Sequence, residues 1–173
     1  MRPAGLQTKR FSKSRFSHIS YLQRQNQKVL GMPLRIIEHG STDYGQMIGL
    51  REEILRKPLG LAFSPEELAA ERDDIPIAAF EEERLVACCL LTTKDKTTIK
   101  LRQMAVHQDV QGKGLGRALI LFAEAVARDH GYRKLSMHAR KTAAGFYEKM
   151  GYAICSPEFE EVTIPHYVME KTL

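Results

Sequence analysis

The run "VQGKGLGR", residues 110–117, sets Gly112, Gly114 and Gly116 beside Lys113 and Arg117. Residues of these types at this spacing can hold a phosphate. Glycines reach positive φ and leave no Cβ between the backbone N–H groups and a ligand. If a helix follows, its unpaired first amides and positive dipole end face the same place. The chemistry on offer is the anchoring of a pyrophosphate, held mainly by backbone. Two familiar grips are excluded by spacing. A Walker loop requires a Gly-Lys-Ser/Thr string, which the chain lacks. A dinucleotide fingerprint requires Gly or Ala at the end of G-x-G-x-x-G/A. Counted from Gly112 that position is Arg117, and counted from Gly114 it is Leu119.

The elements around the turn follow from periodicity. "TTIKLRQMAV" (97–106) reads as a strand leading into it. After it, Leu115, Leu119, Phe122 and Val126 recur at helical spacing toward a core. Arg117, Glu124, Arg128 and Asp129 are expected to face water, and Gly131 stops the helix. Upstream, 33–39 reads as a short strand. Residues 43–55 read as a helix with Tyr44, Met47, Ile48, Ile54 and Leu55 near one face. Ser64, Pro65 and Glu67 begin a second helix with a capping box. The runs 75–82, 85–93 and 97–106, joined by short polar turns, predict antiparallel hairpins. Downstream come a strand (134–139), a helix (142–151) in which Phe146 and Met150 serve the core, and two closing strands. The closing strands flank "SPEFEEVTIP", which reads as irregular. The order predicts a mixed α/β sheet, antiparallel first and then with a crossover helix.

Charge is unevenly spread. Seven of the 26 basic residues and none of the 21 acidic ones lie in residues 1–31, so the rest of the chain is slightly acidic. This predicts a basic leader, a mobile tail, a non-native start or, as the sharper alternative, an organelle-targeting segment, ahead of one domain over 32–173. It argues against a nucleic-acid partner, which would need a basic face on the fold itself. No apolar run is long enough to span a bilayer, so no membrane partner is expected. Cys88, Cys89 and Cys155 show no metal-ligand spacing and read as free thiols, predicting no metal and a cytoplasmic location. Cys88 and Cys89, adjacent on a strand, should point to opposite faces.

With these residues in view, the chain resembles the GCN5-related N-acetyltransferase (GNAT) family. "QGKGLG" (111–116) is similar to the family's Q/R-x-x-G-x-G/A loop. "KLSMHARKTAAGFYEKMGY" is similar to its fifth strand and following A-x-x-F-Y helix. The resemblance covers about residues 33–173. It implies the acyl-CoA N-acyltransferase fold, a central mixed sheet of about six to seven strands flanked by four helices. It also implies acetyl-CoA as cosubstrate and a small-molecule or peptide amine as acceptor, with homodimers frequent. By position, the backbone of Gln111, Gly112, Lys113, Gly114, Leu115, Gly116 and Arg117 would hold the pyrophosphate. Met104, Ala105 and Val106 would pair with the pantetheine arm, like an added strand entering where the fourth and fifth strands splay. An N–H near Val106 would face the thioester oxygen. Tyr147 falls on the family's usual general acid, suited to protonating the departing thiolate.

The general base is less defined. Many members place a Glu on the fourth strand, where this chain has Arg102 and Gln103. His138, at the end of the fifth strand, is the first substitute because imidazole titrates in the useful range. His107, His166, Glu52, Glu53 and Glu81 are others. Glu52, Glu53, Glu66, Glu67, Glu158, Glu160 and Glu161 could form an acidic rim for a cationic amine. Two other classes of function stay open: a CoA-binding regulatory module without turnover, and a nucleotide-binding oxidoreductase domain with Arg140 reading a phosphate.

Overall fold

A computed structural model of the chain describes residues 31–173; the basic leader, apart from Gly31, lies outside the described residues. The chain runs through β1 (Leu34–Ile36), α1 (Thr42–Arg51), α2 (Pro65–Ala69), β2 (Ile75–Glu81), β3 (Arg84–Thr93) and β4 (Thr98–Val106). It continues through α3 (Leu115–Asp129), β5 (Lys134–Arg140), α4 (Ala144–Glu148), β6 (Ala153–Ile154), β7 (Phe159–Glu161) and β8 (Ile164–Thr172). The sheet order is β1-β2-β3-β4-β5-β8-β6, with β7 paired to β8. Every pairing is antiparallel except β4 with β5. A parallel pair needs a crossover, and α3 provides it. No described helix is long and apolar enough to cross a membrane.

Period-two alternation divides the sheet's side chains between two cores. Ile77, Cys89, Ile99, Leu101, Leu135 and Met137 pack on one face with Leu119, Phe122 and Val126 of α3. Ala78, Phe80, Cys88, Leu90 and Ala105 pack on the other with Tyr44, Met47 and Leu50 of α1. Cys88 and Cys89 thus do face opposite ways.

Several local expectations are revised. The helix expected over 43–55 is α-helical only to Arg51, then widens into a π turn over Glu52–Arg56 and tightens over Lys57–Leu59. The wider turn rotates the helix face. Ile54 and Leu55 still pack, half-buried, against the cluster of Tyr44 and Met47, and together with Arg56 they also line a cleft. "SPEFEEVTIP" is not wholly irregular. Phe159–Glu161 pairs back onto Ile164–His166 through Val162 and Thr163, both at positive φ. Glu124 does not face water. Its carboxylate is buried, accepting from the Tyr152 hydroxyl at 3.0 Å and from Lys171 Nζ at 2.8 Å. Phe146 is 40% exposed, because Ala144 and Met150 take the buried side of that helix.

Candidate active site

Three irregularities in β4 and its surroundings make a cleft. Cys88 of β3 pairs with Ala105 and Leu90 with Arg102, so Gln103 and Met104 together oppose Cys89. That is a β-bulge, and Gln103 sits in it at φ 51°. Beyond the bulge β4 turns away from β5. Their pairing ends at Leu101↔Met137, though β4 runs on to Val106 and β5 stays paired to β8 as far as Arg140↔His166. The strands open into a V holding a cavity of about 430 Å³. The stretch Lys100–Met104, Val106, Met137–Arg140 and Tyr147 line it, with the π-turn residues and Glu161 closing its sides.

A buried polar cluster holds the bulge. Arg51 and Glu71 form an ion pair with side chains 0% and 3% exposed. Arg51 Nη1 donates to Glu71 Oε2 at 2.9 Å, and the Tyr44 hydroxyl donates to the same carboxylate. The Gln103 side chain closes the ring: its carbonyl accepts from Arg51 Nε at 2.8 Å and its amide donates to Glu71 at 3.2 Å. Every polar atom of the ion pair thereby finds a partner, as burial of charge demands. Tyr44 was expected only as a core residue and Gln103 only as standing where a Glu is usual; Arg51 and Glu71 were not singled out in the sequence. The one available signal was a cation, Arg51, on the same helical stripe as Tyr44 and Met47.

The glycine turn lies where β4 ends. Gly112 and Gly114 adopt φ of 76° and 84°, so both need the freedom only glycine has without strain. Gly116 serves differently: a Cβ there would lie 3.1 Å from Met104 Cε, so its small size lets α3 close on β4. Gly114 caps α3 without a side-chain hydrogen bond. Among the described residues, the backbone N–H groups of Gly112 through Arg117 donate to nothing. They form a set of free donors at a positive dipole end. Gln111 is tied down, its Nε2 donating to the Val106 carbonyl at 2.9 Å.

Tyr147 and His138 both reach the cleft, from different sides. The Tyr147 hydroxyl points at Met104 Sδ, 3.8 Å away. Burial pushes its pKa up to about 12. His138 is held at both ring nitrogens: Nδ1 lies 2.8 Å from Glu161 Oε2 and Nε2 lies 3.0 Å from Lys100 Nζ. An ammonium can only donate, so Nε2 accepts and Nδ1–H donates to Glu161. Lys100, Glu161 and His138 thus form a chain across the cleft mouth. Lys100 escaped the sequence reading because nothing in "TTIKLRQ" distinguishes it from a surface lysine.

The other expected residues divide sharply. His166 lines the cavity, but its Nδ1 lies 2.7 Å from the Ile164 carbonyl. His107 caps the turn after β4 and meets Arg84, and it does not line the cavity. Glu52, Glu53 and Glu81 do not line the cavity. Of the expected acidic rim only Glu161 does. Glu67 closes the capping box and meets Arg56 at 3.1 Å, and Glu158 pairs with Lys141 at 2.7 Å.

Residues 61–173 match the acetyltransferase (GNAT) domain family. The chain belongs to that family. The GNAT match takes in the bulged strand, the glycine turn and Tyr147, and begins after α1. Among relatives, the Bacillus subtilis protein YyaT is 36% identical over 76 residues, 44% of this chain and 51% of its own length. The chain spans about half the length of the curated relatives it matches in this way. Solved structures share the GNAT fold over most of the chain. An acyl-CoA N-acyltransferase from Pseudomonas aeruginosa superposes with TM-score 0.71 at 17% identity, covering 82% of this chain and 99% of its own. A GNAT family acetyltransferase from Elizabethkingia anophelis with acetyl-CoA bound superposes with TM-score 0.63 at 18% identity, covering 82% and 98%.

Proposed function

We propose that this protein transfers an acetyl group from acetyl-CoA to a primary amine by direct attack, with both bound in the cleft. One observation carries the reading. β4 leaves β5 after Leu101, so an unpaired strand edge leads straight to the free amides of the glycine turn. That pairing of features fits a ligand with an extended amide-bearing arm and a pyrophosphate, which acetyl-CoA is; its thioester supplies the acyl group. Residues 32–173 act as one acetyltransferase domain in this reading.

The backbone of Gln111 to Arg117 would hold the pyrophosphate, and Lys113 and Arg117 would add charge. The main chain of Met104, Ala105 and Val106 would bind the arm as a strand binds its neighbour. Tyr147 stays protonated at all physiological pH, since its pKa is about 12. It can therefore donate a hydrogen bond to a departing thiolate. Complete transfer to a thiol of ordinary pKa (about 8.5) would be uphill. The hydrogen bond, strengthened as charge builds on sulfur, is thus its main contribution. His138 would take the amine's proton at Nε2, with Glu161 at Nδ1 fixing the tautomer. Lys100 must first leave that nitrogen.

The test is thiol release from acetyl-CoA in the presence of amines, with wild type, Tyr147→Phe and His138→Gln. The expected result is release dependent on amine. Tyr147→Phe and His138→Gln should each lower kcat with the acetyl-CoA Kd unchanged. Failure to bind acetyl-CoA would remove the reading. A second reading, a CoA-binding regulatory module, draws on the occupied Nε2 of His138 and the absence of a β4 carboxylate. It is distinguished by binding without amine-dependent thiol release.

A further inference from the structure

The charges of the cleft narrow the acceptor, a step that rests on the acetyltransferase reading. The cofactor's phosphates belong at the glycine turn, next to the end of β4. Lys100 lies six residues before Val106, roughly 20 Å back along the strand. Lys100, Arg102, His138 and Arg140 alternate with Ile99, Leu101, Met137 and Ala139, which pack under α3. The four polar side chains therefore face the α1 side of the sheet, away from the pyrophosphate.

The cations there are poorly matched. Lys100 Nζ has one polar partner, the neutral His138 Nε2 at 3.0 Å, and no carboxylate within ion-pair distance. Arg102 donates to the Thr92 hydroxyl at a long 3.5 Å and has Asp74 Oδ2 at 3.8 Å, beyond hydrogen-bond length. That oxygen is buried with no hydrogen-bond partner. Arg140 has no ion-pair partner among the described residues. Glu161 is the sole carboxylate among the lining residues, and it is committed to His138. Burial lowers the pKa of Lys100; the Glu161 carboxylate across the cleft opposes that shift, and Arg102 and Lys94 add to it. A half-buried ammonium beside guanidinium groups is electrostatically incomplete, and an anion would complete it.

We infer that the acceptor is an amine that also carries a carboxylate or phosphate, and that Lys100 and Arg102 hold this anionic group on the α1 side of the cleft. An anion at Lys100 draws the ammonium off His138 Nε2. The nitrogen then becomes free for the amine's proton, so binding of the acceptor prepares its own base. A polycationic amine meets the opposite sign.

The experiment is thiol release at saturating acetyl-CoA with matched amines. The pairs are β-alanine against β-alaninamide, glutamate against its dimethyl ester, and glucosamine 6-phosphate against glucosamine, with spermidine and kanamycin as polycations. The expected result is kcat/KM at least about tenfold higher for an anionic member than for its neutral partner. Comparing the carboxylate and phosphate pairs assigns the anion. Lys100→Met and Arg102→Gln should abolish that preference through KM, with the acetyl-CoA Kd by calorimetry and the thermal midpoint unchanged. Preference for a neutral or polycationic amine overturns the inference. So does acetylation of no anionic amine, or an undiminished preference in Lys100→Met. Wild-type protein that fails to bind acetyl-CoA overturns the acetyltransferase reading itself, a separate result.

Discussion

Arg51→Met isolates the buried cluster that holds the β4 bulge. Arg51 and Glu71 are almost wholly inaccessible, and each satisfies the other. Removing the guanidinium leaves the Glu71 carboxylate buried with only Tyr44 and Gln103 as neutral partners. Breaking a buried pair from one side costs roughly 3–5 kcal/mol. In a chain of this size each kcal/mol moves the thermal midpoint by about 2–4 °C, so a fall of roughly 6–20 °C is expected. Adding Glu71→Leu removes the stranded charge. The double variant should regain most of the loss, short by about 1–3 kcal/mol for the Tyr44 hydroxyl and Gln103 amide left without partners. Melting followed by circular dichroism, with urea titration as a check, measures all four corners of the cycle. A second readout is the acetyl-CoA Kd, expected to rise because Gln103 loses the Arg51 contact that fixes its φ of 51°. If Arg51→Met melts within about 1 °C of wild type, or the double variant is no better than the single, the cluster does not hold the bulge.

Gly114→Glu should abolish acetyl-CoA binding, because it puts a carboxylate among the free amides and a side chain at φ 84°; normal binding by calorimetry would displace the phosphate site. Only Cys155 is exposed, and burial pushes the Cys88 thiol up to about 12, so an aromatic disulfide reagent should label one thiol in native protein and three in denaturant. Tyr44 and Tyr147 both have pKa values raised by burial from 10.0 to about 12. The folded state then keeps protons that the unfolded state loses. Stability should be intact below pH 10 and decline as pH rises toward 12, with Tyr147→Phe flattening that decline in melts run across the window. Asp95 is the opposite case. Amides of Thr97 and Thr98 hold it down at about 2 from 3.8. Its contribution to the β3–β4 turn should be lost as pH falls below about 4, and Asp95→Ala should make acid melts less pH-dependent.

Most of the elements, their order and the crossover were legible in the sequence. Alternation of apolar residues marked the strands, and i, i+4, i+7 spacing marked α3, because those periods are properties of the local backbone. The three glycines were legible through residue type, and Tyr147 drew attention through the resemblance of its helix to the GNAT motif. The missed features have a common cause. Val162 and Thr163 turn the β7–β8 hairpin at positive φ without the glycine or asparagine that would announce it. Gln103 makes the β4 bulge with no glycine either. The π turn after Arg51 continues a helical pattern that the sequence alone reads as plain helix. In each case tertiary contacts hold a conformation that local preference does not favour. The ring of Arg51, Glu71, Tyr44 and Gln103, and the chain of Lys100, His138 and Glu161, join residues distant along the chain. Periodicity places a residue on a face. Only packing decides which charges on that face meet, which stay unmatched, and therefore which ligand the cleft invites.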